Sequence, residues 1–537
     1  MRAAALALVL LAVSTGTGPA GPAPPRLLDL RVTSGGPPFA GDRPLLATVS
    51  PNGDGLRDFA LVSFRLDQRA RVRMEAVAAD TIRTGRPALI PVWSRRIALQ
   101  AGRHQLAWRP APGTAPRTYI LRLTVTGSGG RRVYGAALPS SHPQIDAPVV
   151  RVQGITAGFE RRSYAPGDLA DVTVATDART LRLQVFRYAA QVVGGSQDLR
   201  TGAVAMTPAA VVDWSAHRNA PHRLRFVRAG AWPSGLYFLR LTAGDGRVGY
   251  APFILRPRRL GMHRIAVVLS TNTWQAYNFY DANGDGWGDT WYVSDSIRSV
   301  DLERPYLDFG VPFRFRDWDL TVLAWLNRTG KQVDYLSDDD LERLGSGDEL
   351  AAGYDLVVFP GHEEYTTTHV YDVIERYRDL GGNLMFLSAN NFFSRVRRVG
   401  ERLDRIGPWR RYGRPEANLV GVQYVGSNHG ARQDGYVVTG ATAVPWAFLG
   451  TGLVDGSVFG QYGIEVDART AHSPPETRLL ARIPDVIGPG RSAEMTYYET
   501  PAGAKVFAAG ALNFASSLDR PEVAQLVENV WARLSRP

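Results

Sequence analysis

The stretch "YDLVVFPGHEEYTTTHVYDVIERYRDLGGNLMFLSANNF", residues 354–392, decides the fold of the C-terminal half of this chain. It opens with a short apolar run, Leu356–Phe359, which suits a buried strand. Apolar side chains then recur at helical spacing, at Val370, Val373, Ile374, Tyr377 and Leu380. Gly381 ends this pattern, and a second apolar run follows at 384–387. The order strand, helix, strand predicts two parallel strands joined by a crossover helix.

The same alternation continues on both sides of this stretch. Ile265–Leu269 reads as a buried strand, 320–327 as a helix, 333–336 as a strand and 522–533 as a closing helix. Alternating strands and helices indicate a mainly parallel sheet covered by helices. We therefore predict an α/β domain over residues 261–537.

The N-terminal half has a different pattern. Short apolar runs separated by Gly, Pro and Asp turns fill residues 26–147 and again 148–257, which is typical of all-β sandwiches. An internal repeat indicates that the two units are related, because "RTYILRLT" (117–124) closes the first unit and "GLYFLRLT" (235–242) closes the second. The predicted architecture is two Ig-like β-sandwiches followed by the α/β domain.

The first residues indicate export. Arg2, an apolar run and a series of small residues make residues 1–23 a candidate signal peptide, with cleavage expected after Ala20 or Ala23. No later segment offers the ~20 apolar residues that a membrane span requires. The chain contains no cysteine, which excludes thiolate metal sites and cysteine nucleophiles. We expect a secreted, extracytoplasmic bacterial protein without a membrane span, and the sequence leaves self-association open.

The chain is basic, with a formal net charge of +11. Its only lysines are Lys331 and Lys505, and the arginines are scattered without a basic helix or a block longer than a pair. A nucleic-acid partner would call for a clustered basic surface. We therefore predict no nucleic-acid partner.

Polar side chains gather where three predicted strands end. "STNTWQAYN" (270–278), "PGHEEYT" (360–366) and "LSANNFF" (387–393) each follow a strand of the α/β domain. In a parallel sheet these loops converge on the carboxyl edge, where ligands bind. Each also has a structural interpretation, because Glu363 and Glu364 suit a helix N-terminus and buried tyrosines often belong to cores.

An acidic loop follows the first of these stretches, directly after Tyr277. "DANGDGWGD" places oxygen side chains at positions 1, 3, 5 and 9 of an EF-hand-like loop, namely Asp281, Asn283, Asp285 and Asp289. Position 12 is Tyr292, so the bidentate carboxylate of an EF-hand is missing there. Ca²⁺ binding and a turn-rich loop without an ion are both compatible with this pattern. The similar "SPNGDGLRD" at 50–58 resembles the opening of FlgD-like bacterial sandwich domains.

Four motifs together resemble a known family. "TWQAYN", "GHEEYT", "GGNLMFLSANNF" and "YYETPAGAKVFAAGALNF" look like the catalytic domain of the N,N-dimethylformamidase large (beta) subunit. The resemblance covers roughly residues 264–534. It implies a glutamine-amidotransferase-like α/β fold without the usual catalytic cysteine, which matches a cysteine-free chain.

The resemblance also implies a metal site. The family holds a mononuclear ferric ion with two tyrosinates and one glutamate, which correspond here to Tyr277, Tyr237 and Glu364. Tyr237 has a counterpart in the first repeat, Tyr119, for which no metal is proposed, so a purely structural tyrosine stays open. Phenolate and carboxylate oxygens are hard donors that suit trivalent iron.

The remaining implied site residues are His362 beside the metal, Asn390 in the pocket and Glu499 as a second catalytic glutamate. The expected activity is hydrolysis of the C–N bond of a small or terminal amide by metal-activated water. The family's small partner subunit and its own N-terminal β domain have no counterpart here, and export makes dimethylformamide itself an unexpected substrate.

Two alternatives remain. One is a non-catalytic surface or binding protein with a degenerate α/β domain, which binds a polymer through exposed aromatic residues at Trp274, Trp287 and Trp291. The other is hydrolysis of an ester or glycoside by a pair of carboxylates, with Glu364 and Glu499 as candidates.

Overall fold

The structure, a computed structural model, describes residues 22–79, 89–136, 146–188, 203–292, 296–307 and 309–536, without the side chains of 226–228. It is rich in β-strands, which form several sheets, and has few helices. The predicted signal peptide falls almost entirely outside the described residues. Within the described part of the chain, no helix has the length and apolar character needed to cross a membrane.

Within the described residues, nine strands form the first unit. They are β1 (Leu27–Thr33), β2 (Leu46–Val49), β3 (Ala60–Leu66), β4 (Ala70–Ala79), β5 (Leu89–Leu99), β6 (Gly102–Trp108), β7 (Thr118–Gly127), β8 (Gly130–Tyr134) and β9 (Val149–Val152). One sheet has the order β1-β3-β6, and the other has the order β2-β9-β7-β4-β5 with β8 on β7. Alternate side chains of both sheets share one apolar core. Strand β9 lies beyond the predicted boundary at residue 147, yet it pairs with β2 and β7 of this unit.

In the part of the second unit that the structure describes, nine further strands are present. They are β10 (Thr156–Phe159), β11 (Ser163–Tyr164), β12 (Leu169–Ala175), β13 (Thr180–Arg187), β14 (Val204–Ala205), β15 (Ala210–Asp213), β16 (His222–Arg228), β17 (Gly235–Ala243) and β18 (Val248–Leu255). The sheets have the orders β10-β12-β16 and β11-β18-β17-β13-β14, with β15 also on β13. A separate apolar core, which includes the fully buried Trp214, lies between them.

The C-terminal unit combines strands and helices. Its strands are β19 (Ile265–Leu269), β20 (Ser299–Asp301), β21 (Asp334–Ser337), β22 (Leu356–Phe359), β23 (Tyr365–Thr367), β24 (Asn383–Phe386), β25 (Ser394–Val399), β26 (Arg402–Pro408), β27 (Gln423–Ser427), β28 (Gln433–Val438), β29 (Val458–Gly463), β30 (Glu465–Ala468), β31 (Arg478–Ile483), β32 (Ala493–Glu499) and β33 (Lys505–Ala508). Its α-helices are α1 (Thr271–Ala276), α2 (Phe315–Trp318), α3 (Leu320–Arg328), α4 (Asp338–Glu342), α5 (Gly347–Gly353), α6 (Thr368–Asp379), α7 (Ala417–Val420), α8 (Pro445–Phe448) and α9 (Pro521–Leu534). Short 3-10 helices lie at Ser215–His217, Trp409–Tyr412 and Phe514–Ser517.

One sheet of nine strands organises this unit, in the order β21-β19-β22-β24-β33-β32-β31-β28-β29. The first five strands are parallel and the last four are antiparallel. Side chains of β19 and β22 point alternately into two apolar cores, so the sheet is buried on both faces. Helices α5 and α6 contribute to one core, and α3 and α9 contribute to the other. Smaller sheets, β20-β26-β25-β23 and β27-β30, complete the unit.

The crossover helix α6 forms for local reasons that the sequence displays. Thr367 is its N-cap, and its side chain accepts a hydrogen bond from the backbone N–H of Val370 at 3.1 Å. Gly381 follows the last turn with a φ of 94°, a left-handed conformation that suits glycine. The predicted strand at Leu356–Phe359 and the predicted helix after it are therefore confirmed.

A buried charge network joins the second unit to the C-terminal unit. The Arg162 guanidinium lies 2.8 Å from the Asp339 carboxylate and 2.5 Å from that of Glu401. Arg398 contacts the same two carboxylates. Asp339 is 2% exposed and Arg162 is 7% exposed. Because these charges are buried, the removal of one leaves its partner as an uncompensated charge with little access to water.

We expect Arg162→Ala to lower the free energy of unfolding by about 3–5 kcal/mol, because it leaves a buried carboxylate without one of its partners. Urea denaturation followed by tryptophan fluorescence measures this change. Arg161→Ala is the matched control, since the Arg161 side chain is 41% exposed and lies 3.7 Å from Asp168. Its expected cost is below about 1 kcal/mol. Equal losses in the two variants would contradict a special role for the buried network.

Candidate functional site

Three loops meet at the carboxyl edge of the parallel strands. Tyr277 ends α1 directly after β19, His362 and Glu364 follow β22, and Asn390 follows β24. Because β22 pairs in parallel with both β19 and β24, the three loops leave the same edge of the sheet. Four of the predicted site residues are therefore close together, as the parallel topology requires.

A phenol and a carboxylate are in direct contact at the centre of this edge. The Tyr277 hydroxyl donates a short hydrogen bond to Glu364 Oε2. His362 Nε2 lies 3.7 Å from the same oxygen, and the His362 ring lies 5.6 Å from the Tyr277 ring. All three side chains are buried. Water is thus largely excluded from the contact, which strengthens its electrostatic interactions.

A second carboxylate, which sequence reasoning missed, completes the cluster. Glu465, the first residue of β30, places Oε2 3.7 Å from His362 Nε2 and accepts a hydrogen bond from Asn390 Nδ2 at 2.8 Å. Its side chain is 17% exposed, against 5% for Glu364. Asp467, two residues later on the same strand, accepts the backbone N–H of Asn390 at 2.8 Å. Carboxylates two residues apart lie on one face of a strand, and this spacing was the only available signal.

A second phenol lies beside Glu364, and it is also one that the sequence-based assignment missed. Tyr365 is buried, its ring lies 5.9 Å from that of Tyr277, and its phenol interacts with Glu364 and Tyr277. The residue directly follows Glu364 in the chain, so its place in the "HEEY" motif was the visible signal.

The cluster carries acidic groups in a place that disfavours negative charge. Burial raises the pKa of Glu364, and the neighbouring Glu465 carboxylate raises it further. Burial also raises the pKa of Glu465 and holds that of Tyr277 well above its usual value. Burial lowers the pKa of His362 to about 3, so its imidazole is neutral at physiological pH. A bound cation would offset this accumulation of acidic oxygens.

Several polar atoms at the site have no hydrogen-bond partner within the described chain. They are both ring nitrogens of His362 and the side-chain oxygen of Asn390. Buried polar atoms are normally paired, so unpaired ones at a site indicate groups that serve a ligand. The oxygens of Tyr277, Tyr365 and Glu364 form a hard donor set that fits a ferric ion. Among the described residues, no three His, Cys, Asp or Glu side chains are grouped to hold a metal, so any metal here depends on the phenols.

Tyr237, the second tyrosinate that the resemblance implied, does not lie with this cluster. It is fully buried in the core of the second unit, where its ring stacks on Trp232 and Phe253. Its hydroxyl donates to the carbonyl of Pro233 at 2.6 Å, four residues upstream. Tyr119 makes the same bond in the first unit, to Ala115 at 3.0 Å. Both match the tyrosine corner of β-sandwiches, and the placement of Tyr237 next to Tyr277 is thereby corrected.

Glu499, the proposed second catalytic glutamate, lies at the opposite edge of the sheet. It ends β32 opposite Lys505, the first residue of β33. Because β33 runs parallel to β24, that end is the amino edge of the parallel strands. The Glu499 carboxylate is 45% exposed and accepts hydrogen bonds from Tyr497 at 2.5 Å and Arg533 at 2.9 Å. The structure therefore does not bring Glu499 to His362. Glu364 and Glu499 also do not form the carboxylate pair that the alternative of ester or glycoside hydrolysis requires.

The acidic loop at 281–289 docks on the first unit. The Asp281 carboxylate accepts backbone hydrogen bonds from Gly284 at 2.6 Å and Gly286 at 2.9 Å. Asp289 accepts from the backbone of Ala282 and from the side chain of Asn283. Trp287 packs among core residues of the first unit. Calcium at Asp281, Asn283, Asp285 and Asp289 stays a prediction.

A buried carboxyl behind the site gives a pH-dependent stability. Asp319 is 1% exposed, accepts a hydrogen bond from Trp274 Nε1 at 3.3 Å and lies against Gly361. Burial raises its pKa to about 7. Because the folded pKa is above the unfolded one, the native state is destabilised as pH rises from about 4 through about 7.

Asp319→Asn is expected to stabilise the protein at pH 8 by on the order of 2–4 kcal/mol relative to its effect at pH 4. The reason is that an amide avoids the buried negative charge and can still accept from Trp274. Urea midpoints at both pH values measure the difference. Asp317→Asn, in which a carboxylate 51% exposed is replaced, should show no such pH dependence. A pH-independent effect of Asp319→Asn would contradict the raised pKa.

Comparison with known proteins gives consistent results. A family model described as "N,N-dimethylformamidase beta subunit-like, C-terminal" matches residues 182–529. The N,N-dimethylformamidase beta subunit of an Alcaligenes species is 27% identical over 260 residues, which are 37% of this chain and 34% of the relative. The subunit of Paracoccus aminophilus is 26% identical over 206 residues, 30% of this chain and 26% of the relative.

The chain therefore matches about a third or less of the length of these curated relatives. Among solved structures, the mmIFT52 N-terminal domain aligns over 39% of this chain and 87% of its own length, at 15% identity. Its TM-score of 0.25 is too low to carry an argument about the fold.

Proposed function

The chain belongs to the N,N-dimethylformamidase beta subunit-like family, and on that premise we propose that it hydrolyses the C–N bond of an amide. The observation that carries the proposal is the buried contact of Tyr277 with Glu364, flanked by His362 and Glu465. Its phenol, carboxylate, imidazole and second carboxylate share one edge of a parallel sheet, where α/β proteins bind ligands.

Iron is the cofactor that we propose for this site. Tyr277, Glu364 and Tyr365 would hold it, because their oxygens are hard donors in mutual contact and Tyr237 lies elsewhere. A ferric ion bound there would act as a Lewis acid on the amide carbonyl and would lower the pKa of water.

Glu465 is the residue to which we assign proton transfer. Its carboxylate is the more exposed of the two in the cluster, and burial shifts its pKa upward, towards neutral pH. Asn390 Nδ2 holds one carboxylate oxygen, which orients the other. Glu465 accepts a proton from water as the water oxygen attacks the carbonyl carbon, and it returns that proton to the departing nitrogen as the C–N bond breaks.

His362 is suited to stabilise the oxyanion that forms on the carbonyl oxygen. Burial keeps its imidazole neutral, so it donates one N–H hydrogen bond without carrying a charge of its own. Trp318 packs against its ring at 5.2 Å and Tyr277 packs at 5.6 Å, which fixes the ring plane. A pre-oriented donor of this kind needs no rearrangement during the reaction.

The proposal extends to architecture and location. We propose a glutamine-amidotransferase-like fold for residues 261–537, supported by five adjacent parallel strands with helices on both faces. We propose Ig-like sandwiches for the two N-terminal units, supported by their paired sheets and tyrosine corners. Action outside the cytoplasm rests on the signal-like sequence at 1–23.

The binding-protein alternative has lost its main support. The aromatic side chains on which it depended, Trp274, Trp287 and Trp291, are each only 4% exposed. Buried indoles contribute to cores and cannot stack on a polymer at the surface.

Release of amine or ammonia from a panel of amides tests the proposal. The purified protein loaded with Fe(III) is incubated with formamide, acetamide, N,N-dimethylformamide and acetanilide, and the released amine is quantified. Turnover of at least one amide, lost in Tyr277→Phe and kept in Tyr237→Phe, is the expected result. Turnover that survives Tyr277→Phe would assign the activity to another site.

A further inference from the structure

A cavity of about 350 Å³ lies between the second unit and the C-terminal unit. The second unit and the segment directly after it contribute Arg187 and residues 231–234 and 256–258 to its wall. The C-terminal unit contributes residues 262–263, the end of α3 and the segment 330–335. Cavities of about 300–1,000 Å³ at junctions of this kind commonly hold small molecules.

The cavity is separate from the candidate site around Tyr277. Residues 333–335, which line it, include the first residues of β21. Because β21 runs parallel to β19, its start lies at the amino edge of the parallel strands, whereas Tyr277 and Glu364 lie at the carboxyl edge. A ligand in this cavity therefore takes no part in the proposed hydrolysis, and its binding does not depend on that function.

Positive charge dominates the wall of the cavity. The cationic side chains that line it are Arg187, Arg256, Arg258 and Lys331. Among the described residues of the wall, the only carboxylate is that of Asp334. Asp334 is fully buried and accepts hydrogen bonds from the backbone of His263 at 3.3 Å and from the Tyr354 hydroxyl at 3.1 Å. The wall thus keeps a net positive charge, which favours an anion.

The arginines of the wall have few partners of their own. Arg187 and Arg258 have no carboxylate partner among the residues that the structure describes. Arg256 Nε lies 3.8 Å from Asp340, and this nitrogen is buried without a hydrogen-bond partner within the described chain. Buried donors are normally paired, so an unpaired one in a cavity wall indicates a group that serves a ligand. Guanidinium groups bind carboxylates and phosphates through two parallel N–H bonds.

The carboxyl end of α3 also reaches the cavity, where free carbonyls would repel an anion. The carbonyls of Leu326 and Asn327 accept the backbone N–H groups of Lys331 and Gly330 at 3.0 and 3.2 Å. The Lys331 side chain is itself paired with Glu528 at 2.8 Å. These two carbonyls are therefore satisfied, and the three arginines are the charged groups left to bind an anion.

The remainder of the wall combines apolar and uncharged polar side chains. Trp232 is half-buried and stacks on Tyr237 at 5.5 Å, and Met262 and Val333 add apolar surface. The uncharged polar side chains are Ser234, Asn327, Gln332 and Tyr335. Such a mixture suits an anion with a carbon skeleton better than a bare inorganic ion, because apolar surface is also removed from water.

We propose that this cavity binds a small organic anion that carries two negative charges on oxygen, of the kind found in phosphate esters and dicarboxylates. The arginines bind its oxygens, and the apolar side chains contact its carbon skeleton. The bound anion bridges the second unit and the C-terminal unit, since both contribute to the wall.

Titration calorimetry on the full-length protein tests this proposal with phenyl phosphate, phthalate and benzyl alcohol. We expect at least one of the two anions to bind at one site per chain and to bind more tightly than the uncharged alcohol. Binding of phenyl phosphate alone would identify the ligand class as phosphate esters, and binding of phthalate alone would identify it as dicarboxylates. The proposal is wrong if neither anion binds at concentrations up to about 10 mM, or if the alcohol binds as tightly as the anions.

Two adjacent arginines provide a matched pair of variants. Arg258 lines the cavity and Arg259 does not, although both are exposed and each substitution removes one positive charge. Arg258→Gln should weaken anion binding by at least ~10-fold, the usual loss for a hydrogen bond to a charged group. Arg259→Gln should leave the affinity unchanged. Equal losses in the two variants would show that only the overall charge of the chain attracts the anion, and would overturn the proposal.

Arg187→Gln changes the part of the wall that the second unit supplies. It should weaken anion binding to a similar extent as Arg258→Gln, because it removes a second guanidinium group without a carboxylate partner among the described residues. Thermal unfolding of each variant shows whether the fold is kept. Anion binding that survives both Arg258→Gln and Arg187→Gln in folded protein would place the anion elsewhere and would contradict the assignment.

Discussion

Glu465→Gln is expected to lower the rate of amide hydrolysis by about 10²–10⁴-fold, the usual contribution of general acid–base catalysis. Glutamine keeps the hydrogen bond from Asn390 Nδ2 but cannot accept a proton from water. Iron content should stay close to that of the unmodified protein, because Glu465 is not among the proposed ligands. Steady-state kinetics on the best amide of the panel, together with iron quantification, measures both quantities.

Glu499→Gln is the matched control for this prediction. Glu499 is the glutamate that the sequence-based assignment favoured, and the structure places it at the amino edge with its carboxylate bound to Tyr497 and Arg533. Its replacement should leave the hydrolysis rate nearly unchanged. A large loss in Glu499→Gln with little effect of Glu465→Gln would reverse the assignment.

Glu364→Gln is expected to weaken iron binding by more than about 100-fold, beyond the 10–100-fold typical of residues that only support the ligands. The carboxylate is the single charged donor besides the phenols, and its loss leaves Tyr277 without the acceptor of its hydrogen bond. Competition with a chelator of known affinity measures the change. Hydrolysis should fall with the metal.

Glu363→Gln provides the comparison within the same motif. Its side chain is equally buried, but it interacts with Asp338 and Ser270 on the other side of the strand end. Iron affinity should therefore be retained. Equal losses in Glu363→Gln and Glu364→Gln would indicate that both act through the local fold and that neither is a ligand.

Local sequence patterns were sufficient for the elements around the site. The apolar runs of β19 and β22 correspond to the predicted strands, and α6 ends at the predicted glycine stop. These elements could be predicted because apolar side chains that alternate or recur at 3.6-residue spacing indicate which face of a strand or helix is buried. Loops that leave parallel strands must share an edge, so Tyr277, Glu364 and Asn390 could be grouped in advance.

Features that depend on strand direction and strand pairing could not be predicted from the sequence. Glu499 is the last residue of β32, and the antiparallel course of that strand places it away from the site. Glu465 sits on β30, which pairs with β27 outside the main sheet, and its neighbours in sequence carry no motif. Tyr237 was assigned through a family pattern, whereas its local bond to Pro233 repeats that of Tyr119. Strand β9 pairs with β2 and β7 and so belongs to the first unit. The sequence of residues 149–152 predicts a strand but does not indicate with which strands it pairs.

Iron content and the visible spectrum of the purified protein test the central claim most directly. The site predicts about one iron per chain, as expected for a mononuclear centre, and a charge-transfer band from tyrosinate to Fe(III). That band should weaken and shift in Tyr277→Phe, which leaves Tyr365 as the one proposed tyrosinate ligand, and it should be unchanged in Tyr237→Phe, because Tyr237 lies in the core of the second unit. A colourless protein that takes up no iron, or a band that depends on Tyr237, would contradict the metal centre described here.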